Sequence, residues 1–159
     1  MNLAALKADL LPKVKMWLQI DFADQDTLLT GMIGKSIDWI ENYTLQRLHE
    51  RQIVVTSYSE EVEIFDNPFA LVSITDGAAT PVAITNYDTV NNVLSVKYCF
   101  YNSDKKVITY STGLTVIPEI ISEAIFKIVA YNYENRLPTN VIPYDVKEDL
   151  GPFRRISWF

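Results

Sequence analysis

Three aspartates fall within six residues in the segment DFADQD, at Asp21, Asp24 and Asp26. Carboxylates at this density are the ligand type of calcium loops. Such a loop needs glycine at its sixth position and a closing glutamate at its twelfth. Counted from Asp21, those positions hold Asp26 and Met32. The aspartates read instead as helix caps, with Asp24 and Asp26 set just before an apolar run. His49 is the only histidine, in LQRLHER. General-base chemistry would need a nucleophile and an orienting acid beside it; a cation closing a helix C-terminus is the simpler expectation. Cys99 is the only cysteine, which excludes an internal disulfide and, with a single histidine, a zinc site. Its neighbours in VKYCFY are apolar and aromatic, the setting of a buried, inert thiol. Tyr98, Phe100 and Tyr101 beside Lys97 have the composition of a base-stacking sheet face. The same residues make an ordinary half-buried sheet face, the better reading in an acidic chain. GxGxxG, P-loop and GxSxG patterns are missing from the sequence. No catalytic residue, metal or cofactor is expected, and the chain does not read as an enzyme.

A different chemistry is concentrated at the end. The last nine residues, GPFRRISWF, carry two arginines and three aromatics in a chain of formal net charge -6. Gly151-Pro152 is a turn signal, and Pro152 cannot continue a regular helix. The chain is therefore expected to leave its domain there and extend. Aromatics and arginine are the types enriched at binding hot spots, and guanidinium groups pair with carboxylates bidentately. Pro152, Phe153, Arg154, Arg155, Ile156, Trp158 and Phe159 are thus a candidate docking tail. The alternative, aromatics folded back on the protein's own core, stays open at this point.

The elements that must position such a tail follow from periodicity. Residues 2–19 read as helix, with Leu3, Leu6, Leu10 and Leu11, then Val14, Trp17 and Leu18, at helical spacing. Pro12 should kink this helix or open a second one. A second helix is expected over about 26–48. Leu29, Ile33, Ile37, Ile40 and Leu48 form its stripe, and Leu28, Met32, Trp39 and Tyr43 widen it to two sides. Gly31 and Gly34 are expected where helices approach closely. Trp39, Ile40 and Tyr43 are a candidate subunit interface. From about 52 to 112, runs rich in Val, Ile, Thr and aromatics, with turn signals at Asp66-Asn67-Pro68 and Asp76-Gly77, read as a small antiparallel sheet. Gly113 ends it. IPEIISEAIFKIVAYNYENR restores helical period over about 118–136, with Pro118 opening the helix and Pro138 stopping it. One further helical turn is expected before Gly151. The fold class is α+β, mainly helical, with an antiparallel β insertion between packed helices and an extended C-terminal tail. Residues 1–151 are expected to form one domain and 152–159 the tail.

The chain of 159 residues is long enough for one core, and 48% hydrophobic with 21% charged residues is an ordinary globular balance. Its 20 Asp+Glu against 14 Lys+Arg argue against broad phosphate binding. They are compatible with a wall past which DNA slides without sticking. The first residues lack a basic stretch followed by an apolar core, so no secretory signal is expected. No run reaches the ~18 apolar residues of a membrane span. The chain is expected to fold in a cytoplasm and to contact no membrane.

One stretch, VKMWLQIDFADQDTLLTGMIGKSIDWIENYTLQRL, resembles the opening of the head–tail connector (adaptor) proteins of tailed bacteriophages. Leu18, Ile20, Asp21, Asp24, Asp26, Leu28, Leu29, Tyr43 and Thr44 carry the likeness. NPFALVSIT is similar to the Pro-led strand that follows in that family, the Ile-Pro helix closing on Asn135-Arg136 fits, and DLGPFRR is similar to its ending. The resemblance spans nearly the whole chain. It departs at Pro12 and in the length of the strand region. It implies a structural virion protein at the neck, assembled in the host cytoplasm. Many copies would form a ring under the portal, extend the DNA channel and give the tail a platform. The implied partners are the portal protein, further copies of the chain and the next tail or neck protein. DNA would pass without specific binding. The alternative is another tail-completion or neck protein of similar fold without direct portal contact.

Overall fold

The computed structural model describes residues 1–58, 61–64, 68–76, 86–90, 93–97, 105–135 and 142–154. The chain divides into two units. One is helical and joins Met1–Leu48 to Thr115–Phe159; the other is the insertion His49–Leu114.

The helical unit holds α1 (Leu3–Leu18), α2 (Asp26–Thr44), α3 (Glu119–Asn135) and α4 (Tyr144–Leu150). Helix α1 packs on α2 and α3, α2 on α3, and α3 on α4. Leu6, Leu10 and Val14 of α1 recur every four residues and are all buried. They meet the α2 stripe Leu29, Ile33, Ile37 and Ile40 and the α3 stripe Ile121, Ile125, Ile128 and Val129 in one core, which Val146 and Leu150 of α4 complete. Each such side chain contributes about 1.5–3 kcal/mol by leaving water.

Pro12 does not divide α1, which runs through it. The proline costs the Ala8 carbonyl its helical partner. It sits on the exposed side, opposite Leu10 and Val14, where water can serve that carbonyl. The helix starts on Asn2, whose side chain accepts from the Ala5 N–H at 2.9 Å. It ends in a Schellman motif: Gln19 takes the left-handed conformation (φ 56°), its N–H donates to the Met16 carbonyl, and the Ile20 N–H donates to the Lys15 carbonyl. Ile20 is thereby turned into the core.

Several boundaries differ from the sequence reading. Gln25 occupies the N-cap of α2, with no side-chain cap bond. Asp26 lies inside the first turn and pairs with Lys15 of α1 at 2.7 Å. Helix α2 stops at Thr44 rather than near residue 48, because Leu45 is left-handed (φ 56°). His49 consequently stands beyond the helix, in the approach to the first strand. Gly31 has open space around it, so no helix approaches there; Gly34 faces only the flexible end of Lys7. Trp17 is half exposed rather than core. Glu119, after Pro118, begins α3, and the Pro118 carbonyl accepts the Ile121 and Ser122 N–H groups.

The insertion holds β1 (Arg51–Ser57), β2 (Glu61–Ile64), β3 (Pro68–Asp76), β4 (Asn86–Val90), β5 (Val93–Lys97) and β6 (Lys106–Thr112). They form two three-stranded sheets, ordered β1-β6-β3 and β2-β5-β4, where one sheet was expected. All pairs are antiparallel. In the first sheet the register sets Ile53 opposite Tyr110 and Val55 opposite Ile108, with Ile74 opposite Ile108 on the other side. Ile74, Ile108 and Tyr110 are buried and share this face. Gly113 ends β6 at φ 127°, a conformation open to glycine. Gly77 of the turn expected after Asp76, Cys99 with its aromatic neighbours, and Pro138 fall outside the described residues.

Candidate interaction surface

At the C-terminal end of α2, Trp39 and Tyr43 lie one turn apart on the same face. Their rings stack, with centroids 5.0 Å apart and planes 11° from parallel. The Tyr43 hydroxyl donates to the Lys147 carbonyl of α4 at 3.1 Å. Ile40, between them in sequence, is fully buried and belongs to the core, so it drops out of the expected subunit interface. The helical phase that brings Trp39 and Tyr43 outward turns Ile40 inward.

The C-terminal segment returns to this same place. Gly151–Phe153 forms a single 3-10 turn directly after α4. The Gln46 Nε2 donates to the Phe153 carbonyl at 2.6 Å. The Arg154 guanidinium stands 5.5 Å from the centre of the Tyr43 ring, a cation–π contact. The chain therefore does not leave its domain at Gly151-Pro152. Proline fits the start of a 3-10 turn, where its missing N–H costs nothing. Of the expected docking tail, Phe153 is tied to Gln46, just past α2, and Arg154 to Tyr43 of α2, while Pro152 is exposed in the 3-10 turn; Arg155, Ile156, Trp158 and Phe159 fall outside the described residues.

Glu41 and Lys127 fix the frame of this end. Glu41 is buried, and its Oε1 accepts the Leu48 N–H at 2.7 Å, which pins the chain where it leaves α2. Its spacing continues the Leu29–Ile33–Ile37 stripe by four residues, but its acidic type reads as exposed. Lys127 of α3 reaches α4, bonding Asp149 at 2.7 Å and lying 3.5 Å from Asp145. The hydrogen bond to Asp149, helped by Asp145, raises the lysine above its ordinary value.

A second surface lies at the opposite end of α2, where α1 turns into it. Met16, Trp17, Phe22 and Leu28 are 77%, 51%, 55% and 49% exposed. Trp17 leans on Phe126 of α3 at 5.8 Å between centroids. The Schellman turn buries Ile20 and leaves Phe22 in solvent, and the Lys15–Asp26 ion pair braces the corner. Asp21 and Asp24 are exposed there. The sequence reading assigned Trp17 and Leu28 to packing faces; Leu28 stands out of phase with the Leu29–Ile33–Ile37 stripe, whereas Trp17 shares the phase of Leu6 and Leu10 and is half exposed in the last turn of α1.

Among the described residues, no group of three or more His, Cys, Asp or Glu is placed to hold a metal. No described helix is long and apolar enough to cross a membrane.

Comparisons with known proteins supply a family and a fold. A family model described as phage gp6-like head-tail connector protein matches residues 8–113. Three solved chains share the fold. One, from the neck of an empty gene transfer agent particle computed with C6 symmetry, superposes with a TM-score of 0.74 at 17% identity, covering 94% of this chain and 90% of that one. A chain of the native gene transfer agent virion gives 0.67 at 19% identity, covering 92% and 90%. A third, from the native neck computed with C12 symmetry, gives 0.66 at 18%, covering 83% and 84%. Among curated proteins, no sequence matches.

Proposed function

The chain belongs to the phage gp6-like head–tail connector family, structural proteins of the virion neck rather than enzymes, and from that premise we propose that many copies form a ring beneath the portal. The ring extends the DNA channel and gives the tail its platform. The observation that carries this is the family match over residues 8–113. The like-folded chains come from particle necks computed with C6 and C12 symmetry, the setting in which a ring would stand.

Two finer features belong to the proposal. The channel wall contributed by a chain of net charge -6 is neutral or negative, so DNA slides past it. Residues 155–159, beyond the anchored Arg154, hook the portal through Ile156, Trp158 and Phe159, with Arg155 seeking acidic groups. The anchoring of Phe153 and Arg154 on the domain favours the competing reading, a neck protein with no direct portal contact, to the extent that it shortens the hook. The test is deletion of 155–159. The truncated chain should keep its circular dichroism melt, lose attachment to portal and leave heads that shed DNA. Attachment intact after the deletion would pass the portal contact to another surface.

A further inference from the structure

We infer that residues 151–154 are a latch: closed, it holds the chain end short against the end of α2, and it opens when that end docks on its partner. The inference rests on the hook reading of residues 155–159 and adds the regulation of that hook.

Leu150, the last residue of α4, is fully buried and seats the chain in the core. After it the attachment changes in kind. None of Gly151–Phe153 is buried, and Arg154 is exposed. Among the described residues, two contacts tie this segment to the end of α2. The Gln46 Nε2 donates to the Phe153 carbonyl at 2.6 Å, and the Arg154 guanidinium stands 5.5 Å from the centre of the Tyr43 ring. Tyr43 is itself held from two sides, by its stack on Trp39 and its bond to the Lys147 carbonyl, so Arg154 meets a fixed surface. Within the segment, the Arg154 N–H donates to the Gly151 carbonyl at 3.1 Å and closes the turn. A single 3-10 turn has poor hydrogen-bond geometry and little stability of its own. The hold is thus a small set of polar contacts at a surface, each worth about a fivefold bias in an equilibrium. Opening them leaves Leu150 seated. Closed, the free end is the five residues from Arg155, which span at most about 17 Å. Open, it is the nine residues from Gly151, which span about 31 Å. Opening therefore nearly doubles how far Ile156, Trp158 and Phe159 can travel. The closed turn limits the reach of these apolar residues in the isolated chain, and lowers the apparent affinity of the hook by the closed fraction.

The test weakens the latch without touching the tail. Gln46→Ala and Gln46→Ser take the donor out of reach of the Phe153 carbonyl, while Gln46→Lys keeps a donor. Each full-length variant is titrated with purified portal protein, beside wild type and the 155–159 deletion. The free proteins are also timed for tryptic cleavage at Arg154 and Arg155. Gln46→Ala and Gln46→Ser should be cut about fivefold faster and bind portal up to about fivefold more tightly. Gln46→Lys should stay close to wild type, and the deletion should not bind. Cleavage no faster in the two shortened variants would show that the contact holds nothing. Binding that is equal or weaker in them, while the deletion still abolishes it, would make the closed turn the docking form. Either result overturns the latch and leaves the hook reading standing. If the deletion binds portal as well as wild type, or wild type does not bind it, the hook reading falls and takes the latch with it.

Discussion

Glu41 holds the exit of α2 by accepting the Leu48 N–H inside the protein. Glu41→Ala leaves a buried donor without its acceptor, which costs about 2 kcal/mol. Glu41→Gln keeps an acceptor and should cost less, and urea unfolding measures both. Gly113 has the opposite sensitivity: any added side chain is harmful. At φ 127° a Cβ would stand 2.6 Å from the His49 carbonyl oxygen, and that neighbour is backbone. Gly113→Ala is expected to lower stability by about 1–3 kcal/mol, whereas Gly31→Ala, in open space on a helix, should raise it by up to about 1 kcal/mol. The sequence marked Gly113 correctly as an end because glycine after a strand is a local signal. It misassigned Asp26 because a first-turn acid and a cap use the same residue types one position apart, and only the Lys15 contact distinguishes them. Ile40 was legible as core from its stripe; adjacency to Trp39 and Tyr43 drew it wrongly into an interface.

Helix α4 has seven residues, too few to hold a helix in water by itself. It depends on Val146 and Leu150 in the core, on the Tyr43 hydroxyl and on Lys127. Tyr43→Phe removes one hydrogen bond at an exposed site and should cost about 1 kcal/mol or less. Lys127→Met should cost roughly a few tenths of a kcal/mol, less in high salt, because the pair is solvent-exposed. The pH sign follows from the raised lysine. Its contribution is complete below the ordinary value of 10.5 and disappears as pH climbs through the raised one. The difference between wild type and Lys127→Met should therefore be flat through neutral pH and shrink only in strong alkali, as read from thermal melts. At this scale the helices were legible because their apolar period is local. The division of the strands into β1-β6-β3 and β2-β5-β4 was not, because pairing such as Arg51 with Thr112 joins residues far apart in sequence. The end of α2 was missed for a related reason: Leu45 adopts a left-handed conformation that its side chain does not advertise.

A chain whose ring is built on a portal template should be monomeric or weakly associated when isolated. Sedimentation at micromolar concentration checks this; a stable closed dimer would count against it. The acidic balance sets a second expectation, that duplex DNA is not shifted in gels at moderate salt. Tight, salt-sensitive binding would remove the sliding wall from the proposal. The neck role as a whole was legible only through the likeness of the α1–α2 segment and the order of segments to a known family, since composition and motifs alone stop at an acidic α+β protein without a reactive site. The decisive measurement is an image of the assembled particle, with this chain located by its density. Several copies in a rotationally symmetric ring around the DNA path, seated against the portal, are the expected result. A single copy, or copies placed away from the portal and the channel, would contradict the proposed ring.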